Sequence, residues 1–532
     1  MGQQAIQEDD MKLRILVSCA VCVAIVGSTA VAEDDVTRTT DVDMTNPSMQ
    51  LYKMITDADP EGEYYPEAFA EVHAPEGGLT PGFNVQLGEL QESSPVKWTT
   101  MVDPSDGVRK TSYSIGTTSC NFGTMILPWQ ETTPFHPVIG QNFYRLKDGR
   151  IEQIGQSWLK HGFCALQGGA CVTETGGCAS CGGGCPSCLG VGCSDPYSGP
   201  RNGGQFRLGP RSEVNASTGV FPYPFSAPPA LNGLSRRIVV EVDDLDPADN
   251  PGALYFAEGQ YVHQLDSQDQ NDLDNVSYRQ MWVNSGSDAG GYDLLYAPSF
   301  AGPFSQTQRR QPAIQAWQDF DAGVELEFID IAGDGRIAIA HKASENDDGT
   351  WHYEYAIYNM NSHRSVGSFS VPAPAGAGVS NIGFHDIDSH SGEPYSIADW
   401  PGSESGGSVS WATQTVGENP NANAIRWGTT YNFRFDANSA PVDAVATIGL
   451  FRAGSPGSVS VTVAAPGAPA CGSFDADGDG DIDLTDFGNF QLCFTGSGGD
   501  ASPGCCIHDS DDDDDVDLAD FGNFQLAYTG PM

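Results

Sequence analysis

The strongest constraint on this chain is a sentence it writes twice near its end: FDADGDGDIDLTDFGNFQLCFTG begins at Phe474, and HDSDDDDDVDLADFGNFQLAYTG begins 34 positions later, at His508. From Cys471 onward there is no Lys or Arg, and Asp is dense. An acidic run is ordinarily solvated or unfolded chain, but the register here argues for something more specific. Asp475, Asp477, Asp479, Gly480 and Asp486 fit the calcium-loop pattern D-x-D-x-D-G-x5-acid, with Ile482 at the eighth position, where an apolar side chain anchors the loop. A hard cation takes several oxygens, and alternate residues of a tight loop can point inward to supply them. On this reading Asp475, Asp477 and Asp479 give side-chain oxygens, Asp481 its backbone carbonyl, Asp483 a water-mediated contact and Asp486 the last carboxylate. The second copy supplies Asp509, Asp511, Asp513, Asp515, Asp517 and Asp520 at the same offsets, with Val516 as anchor.

Two departures from the pattern matter. The twelfth residue is Asp rather than Glu, one methylene shorter. Asp514 stands at the sixth position, where Gly normally makes the sharp turn; Asp tolerates positive φ at a cost of about 1 kcal/mol. The second loop is therefore expected to bind calcium more weakly than the first.

Each loop leads into a short helical pattern and is preceded by none. LTDFGNFQLCF brings Leu484, Phe487, Phe490 and Phe494 near one face, whereas APACGSF ahead of the loop is full of breakers. Loop plus exit helix, written twice over about sixty residues, resembles a type I dockerin module. The resemblance implies that the paired calcium loops fold the module. It also implies that the helices dock onto a cohesin partner, on a scaffold or cell surface that organises polysaccharide-degrading enzymes. Recognition in that family commonly uses a hydroxyl pair late in the loop and basic residues along the helix. Here those loop positions hold Leu484-Thr485 and Leu518-Ala519, and no basic residue follows. Cys471 and Cys505 occupy matching places ahead of the loops, with Cys493 and Cys506 remaining, and two disulfide staples would suit so small a core.

The other end reads as an export signal. From Met11, Lys12 and Arg14 form a basic start, residues 15–27 an apolar core, and Ala30-Val31-Ala32 a small-residue cleavage site before Glu33. The preceding MGQQAIQEDD is acidic, the wrong sign for such a segment, which places the expected start at Met11. Apolar sequence continues past Cys19, against a lipid-attachment reading of LVSC, and the apolar core is shorter than the about 20 residues that span a bilayer. No later stretch is a membrane-span candidate. A secreted or cell-surface location is expected. Twelve of the 14 cysteines lie beyond this segment. Eight of them, Cys120, Cys164, Cys171, Cys178, Cys181, Cys185, Cys188 and Cys193, form one group. The Cys178-x2-Cys181 and Cys185-x2-Cys188 pairs could hold zinc as thiolates, but their three-residue spacer and an oxidising compartment favour disulfides.

Between the two ends the texture is β. Residues 33–312 carry short alternating runs broken by Gly, Pro, Asn and Asp. NFYRLKDGRIEQIGQSWL predicts a hairpin turning at Asp148-Gly149. RRIVVEVDDLDP puts Ile238, Val240 and Val242 on one face, and ALYFAEGQYVHQL offers two short strands. Residues 313–465 repeat the period of two more regularly. Val324, Leu326 and Phe328 alternate with Glu325 and Glu327 before a turn at Gly333-Asp334-Gly335, and WHYEYAIYN sets Trp351, Tyr353, Tyr355 and Ile357 on one side. Strands with one apolar face predict an immunoglobulin-like sandwich. The pattern is also similar to strand pairs in sandwich domains of uncharacterised secreted bacterial proteins. Residues 466–473 read as a linker, and 474–532 as the tandem calcium loops. The expected fold class is thus mainly β: a Cys-rich β region and an immunoglobulin-like β-sandwich, with a small α-helical calcium-binding dockerin-like domain at the C-terminus.

A formal charge of -45 argues against nucleic acid and anionic membranes as partners. No G-x-S-x-G, H-E-x-x-H or phosphate-binding Gly loop is present, so catalytic residues are left unassigned. Asp319 with Asp321 and Glu325 with Glu327 read as solvated acids at alternating strand positions. In GFHDIDSHSGEPY, His385, Asp386, Asp388, His390 and Glu393 could converge on a metal, or Asp386 could orient His390 as a base; a polar loop between strands is the plainer reading. Trp282, Trp317, Trp351, Trp400, Trp411 and Trp427 read mostly as core, with sugar stacking the alternative. The expectation is a secreted Ca2+-binding protein. Its tail attaches a non-catalytic β body to a cohesin-like or other surface protein, with polysaccharide a further candidate ligand. The alternative is a dockerin-bearing hydrolase of polysaccharides.

Overall fold

The structure is a computed structural model that describes residues 78–532 apart from 92, 163, 183–186, 299–300, 391, 469–471, 477–479, 502 and 531–532. The export-signal segment, Cys185, Cys471, Asp477 and Asp479 lie outside the described residues.

The described chain is mainly β, because short runs of period two, separated by Gly- and Asp-rich turns, pair most cheaply with their sequence neighbours. The hairpin Val138–Lys147 to Arg150–Gln156 forms as the sequence predicts. Asp148 and Gly149 both take positive φ, 51° and 74°, matching the twist of the strands they join. The predicted pair of strands in ALYFAEGQYVHQL is one strand, Leu254–Val262. It is bonded along its length to Val138–Lys147 on one side and to Val276–Ser287 on the other, and pairing on both edges carries it through Gly259 without a break. These strands belong to an eleven-stranded antiparallel sheet; a three-stranded sheet (Val85–Leu90, Thr117–Asn121, Ser194–Tyr197) packs on one of its faces.

The sandwich has two five-stranded sheets. One runs Glu325–Asp330, Arg336–Glu345, Trp351–Asn359, Thr429–Ala437, Ser380–His385; the other runs Gly402–Ser405, Ser408–Ala412, Val366–Pro372, Pro441–Leu450, Ser458–Pro466. Tyr353, Tyr355 and Ile357 lie in the core between them, with Trp351 packed at its edge. The intervening residues Ala356 and Tyr358 are buried as well. They share a separate core with Ala338, Ala340, Trp317, Tyr144, Phe256 and Tyr278, so the outer face of this sheet is covered by the eleven-stranded sheet. Consecutive residues of one strand serve different cores: Phe143 faces the three-stranded sheet and Tyr144 the sandwich. Three apolar layers therefore alternate with the four larger sheets of the described residues.

Four disulfides are described: Cys120–Cys171, Cys178–Cys193, Cys181–Cys188 and Cys493–Cys505. Cys164 and Cys506 are also disulfide-bonded. Cys178, Cys181 and Cys188 are spent on sulfur partners, which removes the zinc alternative for that cluster. No helix among the described residues is long and apolar enough to cross a membrane.

Candidate metal centre

The tail is built on two ten-residue helices, Leu484–Cys493 and Leu518–Ala527. Each starts in the same way. Asp483 and Asp517 are N-caps whose carboxylates accept from Thr485 N (2.6 Å) and Ala519 N (2.7 Å), and Asp486 and Asp520 close the capping boxes from N3. Asp486 accepts from Ala476 N (2.6 Å) and Asp483 N (2.8 Å), and Asp520 from Ser510 N (2.7 Å) and Asp517 N (2.8 Å). Both carboxylates are fully buried. The twelfth position of each loop is thus pinned beneath its first turn.

The position-six turn is present in both copies. Gly480 has φ +85° and donates its N–H to Asp475 Oδ2 at 3.1 Å; Asp514 has φ +68° and donates to Asp509 Oδ2 at 3.1 Å. Asp514 therefore adopts the left-handed conformation the register demands of it. Ligand-type oxygens of Asp509, Asp511 and Asp520 lie within 4.8 Å of one another. Asp481, Asp483 and Asp486 form a second such group, and Asp515, Asp517 and Asp520 a third. Asp481 and Asp515, read from sequence as carbonyl donors, also bury their carboxylates, at 5% and 3% exposure. Asp513 donates its N–H to Asp509 Oδ1 at 3.3 Å. The Asp511 carboxyl is raised above its ordinary range by desolvation and by the charges of Asp513, Asp520, Asp509 and Asp517. An all-oxygen donor set of this kind suits a hard cation.

The core under the loops is Phe474, Phe490, Val516 and Phe524, with Ile482 and Phe487 packed against it, so both anchor positions are apolar contacts as expected. Leu484 and Phe494 are not on that face. They are 72% and 44% exposed, because Leu484 is the first helical residue, ahead of the Asp486–Phe490 stripe that turns inward, and Phe494 caps the far end. Their counterparts Leu518 and Tyr528 are 73% and 42% exposed. The two repeats are also cross-linked. Thr529 exchanges bonds with Ile482 (N to Oγ1 2.8 Å; Thr529 N to Ile482 O 3.0 Å), and Thr495 does the same with Val516 (both 2.9 Å).

The body holds a second polar site. A cleft of about 260 Å³ runs between the eleven-stranded sheet and the segment after Ser380–His385; Asp103, Lys110, Glu241, Asp244, His385, Asp386, Asp388 and His390 line it. Burial pushes Asp386 up to about 6 against a hydrogen bond from Asn423, and pushes Asp244 up to about 6 against the Arg145 salt bridge. His390 Nε2 lies 2.8 Å from Arg237 O. Glu393 departs from the rest of its sequence cluster and accepts from the backbone N–H groups of Arg211 (2.6 Å) and Ser212 (3.2 Å). Asp319 and Asp321 are not on a strand: Asp319 is in the helix Gln315–Phe320, bonded by Tyr278, and Asp321 pairs with Lys342. Glu325 and Glu327 are exposed on an edge strand. Trp317, Trp400, Trp411 and Trp427 are core, and Trp282 is exposed. Sequence reasoning did not single out Arg211 or Glu258, both buried, because their partners come from segments far away in the chain.

No family model matches the chain, and no curated protein matches it. Among solved structures, an Amycolatopsis orientalis exo-chitosanase complexed with PNP-β-D-glucosamine matches at 10% identity and TM-score 0.14, over 65% of this chain. This chain spans 25% of the chitosanase. A biofilm-associated protein B domain matches at 10% identity and TM-score 0.14, covering 76% of this chain and 90% of that one. The partial N-terminal region of an enterococcal surface protein matches at 7% and 0.14, covering 75% and 100%. Scores this low carry no argument about fold or function.

Proposed function

We propose that this is an exported calcium-binding protein whose dockerin-like tail attaches a non-catalytic β body to a protein partner at a cell surface or in an extracellular assembly. The observation that carries the reading is the repeated loop geometry: a left-handed sixth residue, a buried twelfth carboxylate and an apolar eighth residue, in both copies. The disulfides suit an oxidising compartment. The partner-facing surface is the exposed pair of repeats Leu484 with Leu518 and Leu492 with Leu526, the last two 86% and 87% exposed. Leucines this exposed add nothing to the tail core, so Leu484→Asp with Leu518→Asp should leave the circular dichroism unchanged. Capture of a protein partner in calcium should be lost in that variant and in chelator; equal capture by variant and wild type would refute the docking surface.

The cleft favours one second reading, a polysaccharide hydrolase, since it gathers several carboxyls whose protonation is shifted toward neutrality. Reducing ends released from a polysaccharide panel by the wild type, and not by Asp386→Asn, would select it over the binding reading.

A further inference from the structure

Behind the cleft lies a buried cation with no counter-ion among the described residues. Arg426 is 7% exposed, with its guanidinium carbon 4.2 Å from the ring centroid of Tyr395 and 4.6 Å from that of Phe451. Its Nη2 donates to the carbonyls of Ala422 (2.9 Å) and Pro420 (3.2 Å). Nε and Nη1 are buried and bond to nothing among the described residues. The phenols of Tyr395 and Tyr431 beside it are raised above the ordinary tyrosine value and stay neutral, so the charge that acts on it is the like charge of Arg452; burial first, and Arg452 after it, bring its pKa down to about 10. A chain with 70 acidic residues against 25 Lys and Arg does not lack carboxylates to place here. The one carboxylate in the recess wall, Glu393, is turned to the backbone of Arg211 and Ser212.

Arg426 lines a recess of about 20 Å³ together with Arg211, Tyr395, Trp427 and Tyr431. The recess shares Gln156, Ser389 and His390 with the wall of the larger cleft, so the two spaces adjoin. About 10–15 Å³ admits one water, so the space suits a single monatomic occupant and excludes sulfate or a sugar. A water would satisfy the two donors and leave the charge uncompensated, whereas an anion does both. We propose that this recess is a binding site for a small monovalent anion of halide size, held by Nε and Nη1 of Arg426.

The test uses the mature chain at fixed calcium, with bromide as the probe. In crystals grown in gluconate and soaked in low-millimolar bromide, one anomalous peak is expected within hydrogen-bonding distance of Arg426. In urea unfolding at constant ionic strength, with gluconate exchanged for bromide, the folded-to-unfolded ratio of the body should rise about tenfold for each tenfold rise in bromide above its dissociation constant. Arg426→Met should abolish that dependence. A water in the recess with no anomalous peak, or the same bromide dependence in wild type and Arg426→Met, would overturn the site. If Arg426→Met does not fold, the wild-type peak and titration decide alone.

Discussion

The body and the tail handle carboxylates in opposite ways. In the core of the body, acids such as Asp195 and Glu258 are buried singly. Asp195 is fully buried, with Oδ1 accepting from Leu166 N at 2.7 Å, and burial pushes it up to about 7 against that bond and one from the Tyr197 side chain. Glu258, also fully buried, accepts from Asn142 (2.8 Å) and from Ala313 N (2.7 Å), and it too is raised by burial. In the tail, acids are gathered by register, with three ligand-type oxygens inside 4.8 Å. A buried single acid can shed its charge by keeping a proton. A cluster of several can relieve its repulsion by keeping protons or, on the calcium reading, by taking up a cation. The comparison separates carboxyls that belong to packing from carboxyls that belong to a site, and pattern in the sequence tracks only the second kind.

The largest expected effect follows from that difference. Calcium removal by a chelator should abolish the helical circular dichroism of the tail, since the clustered Asp charges then repel one another and the module has only the small core around Phe490 and Phe524. Near-ultraviolet signals from the body, where Trp317, Trp400 and Trp411 are locked in cores remote in sequence from the loops, should persist. Simultaneous loss of both would mean that the body depends on calcium as well.

A pH titration should drive the two regions in opposite directions. Asp195 has a raised folded-state pKa, so its contribution to stability is complete below the unfolded value near 3.8 and is lost as pH rises through about 7. Across that window the body should lose about 1.4 kcal/mol per pH unit from this residue, of order 4 kcal/mol in all. Asp195→Asn keeps the acceptor for Leu166 N and puts an N–H where the proton sat, so it should flatten the slope. In calcium the tail should instead gain stability with rising pH, because metal-binding carboxylates must be deprotonated. Urea midpoints of body and tail, read by tryptophan fluorescence and far-ultraviolet circular dichroism from pH 4 to 8, measure both slopes. Parallel slopes would break the comparison.

How much of this the sequence carried depends on whether the information was local. The Asp148-Gly149 turn and the left-handed Asp514 were legible because a handful of consecutive residues decide them. The face of WHYEYAIYN toward the sandwich core was legible from period two. Its other face was not: Ala356 and Tyr358 are buried only because the eleven-stranded sheet covers them, and nothing within the strand announces that. Leu484 and Phe494 misled for the opposite reason, since helical spacing alone does not say where the helix begins. The cleft was half legible. The cluster from His385 to His390 stood out, but Asp103, Glu241 and Asp244 reach it from elsewhere in the chain.

A smaller effect sharpens the comparison within the tail itself. Gly480 and Asp514 hold equivalent left-handed positions, but only Gly does so without a steric penalty. Calorimetry on the tail should resolve a tighter first site and a weaker second one, and Asp509→Ala should abolish the weaker. Asp514→Gly relieves about 1 kcal/mol of strain, which is about fivefold in affinity, and should bring the two sites together. Weaker binding in that variant would show that the lost charge outweighs the relieved strain.

The smallest effect tests whether the two loops act as one unit. Thr529, after the second helix, accepts the N–H of Ile482 in the first loop, and Thr495, after the first helix, accepts that of Val516 in the second. Each threonine therefore positions the anchor residue of the other repeat's loop. Replacing either by Val keeps the shape and removes one acceptor, a loss of at most about 1 kcal/mol for a hydrogen bond near the surface. The signature is in the crossing: Thr529→Val should weaken the loop that ends at Asp486, and Thr495→Val the loop that ends at Asp520. If each substitution weakened only its own repeat's site, the threonines would act through their helices, and the cross-link would contribute nothing to binding.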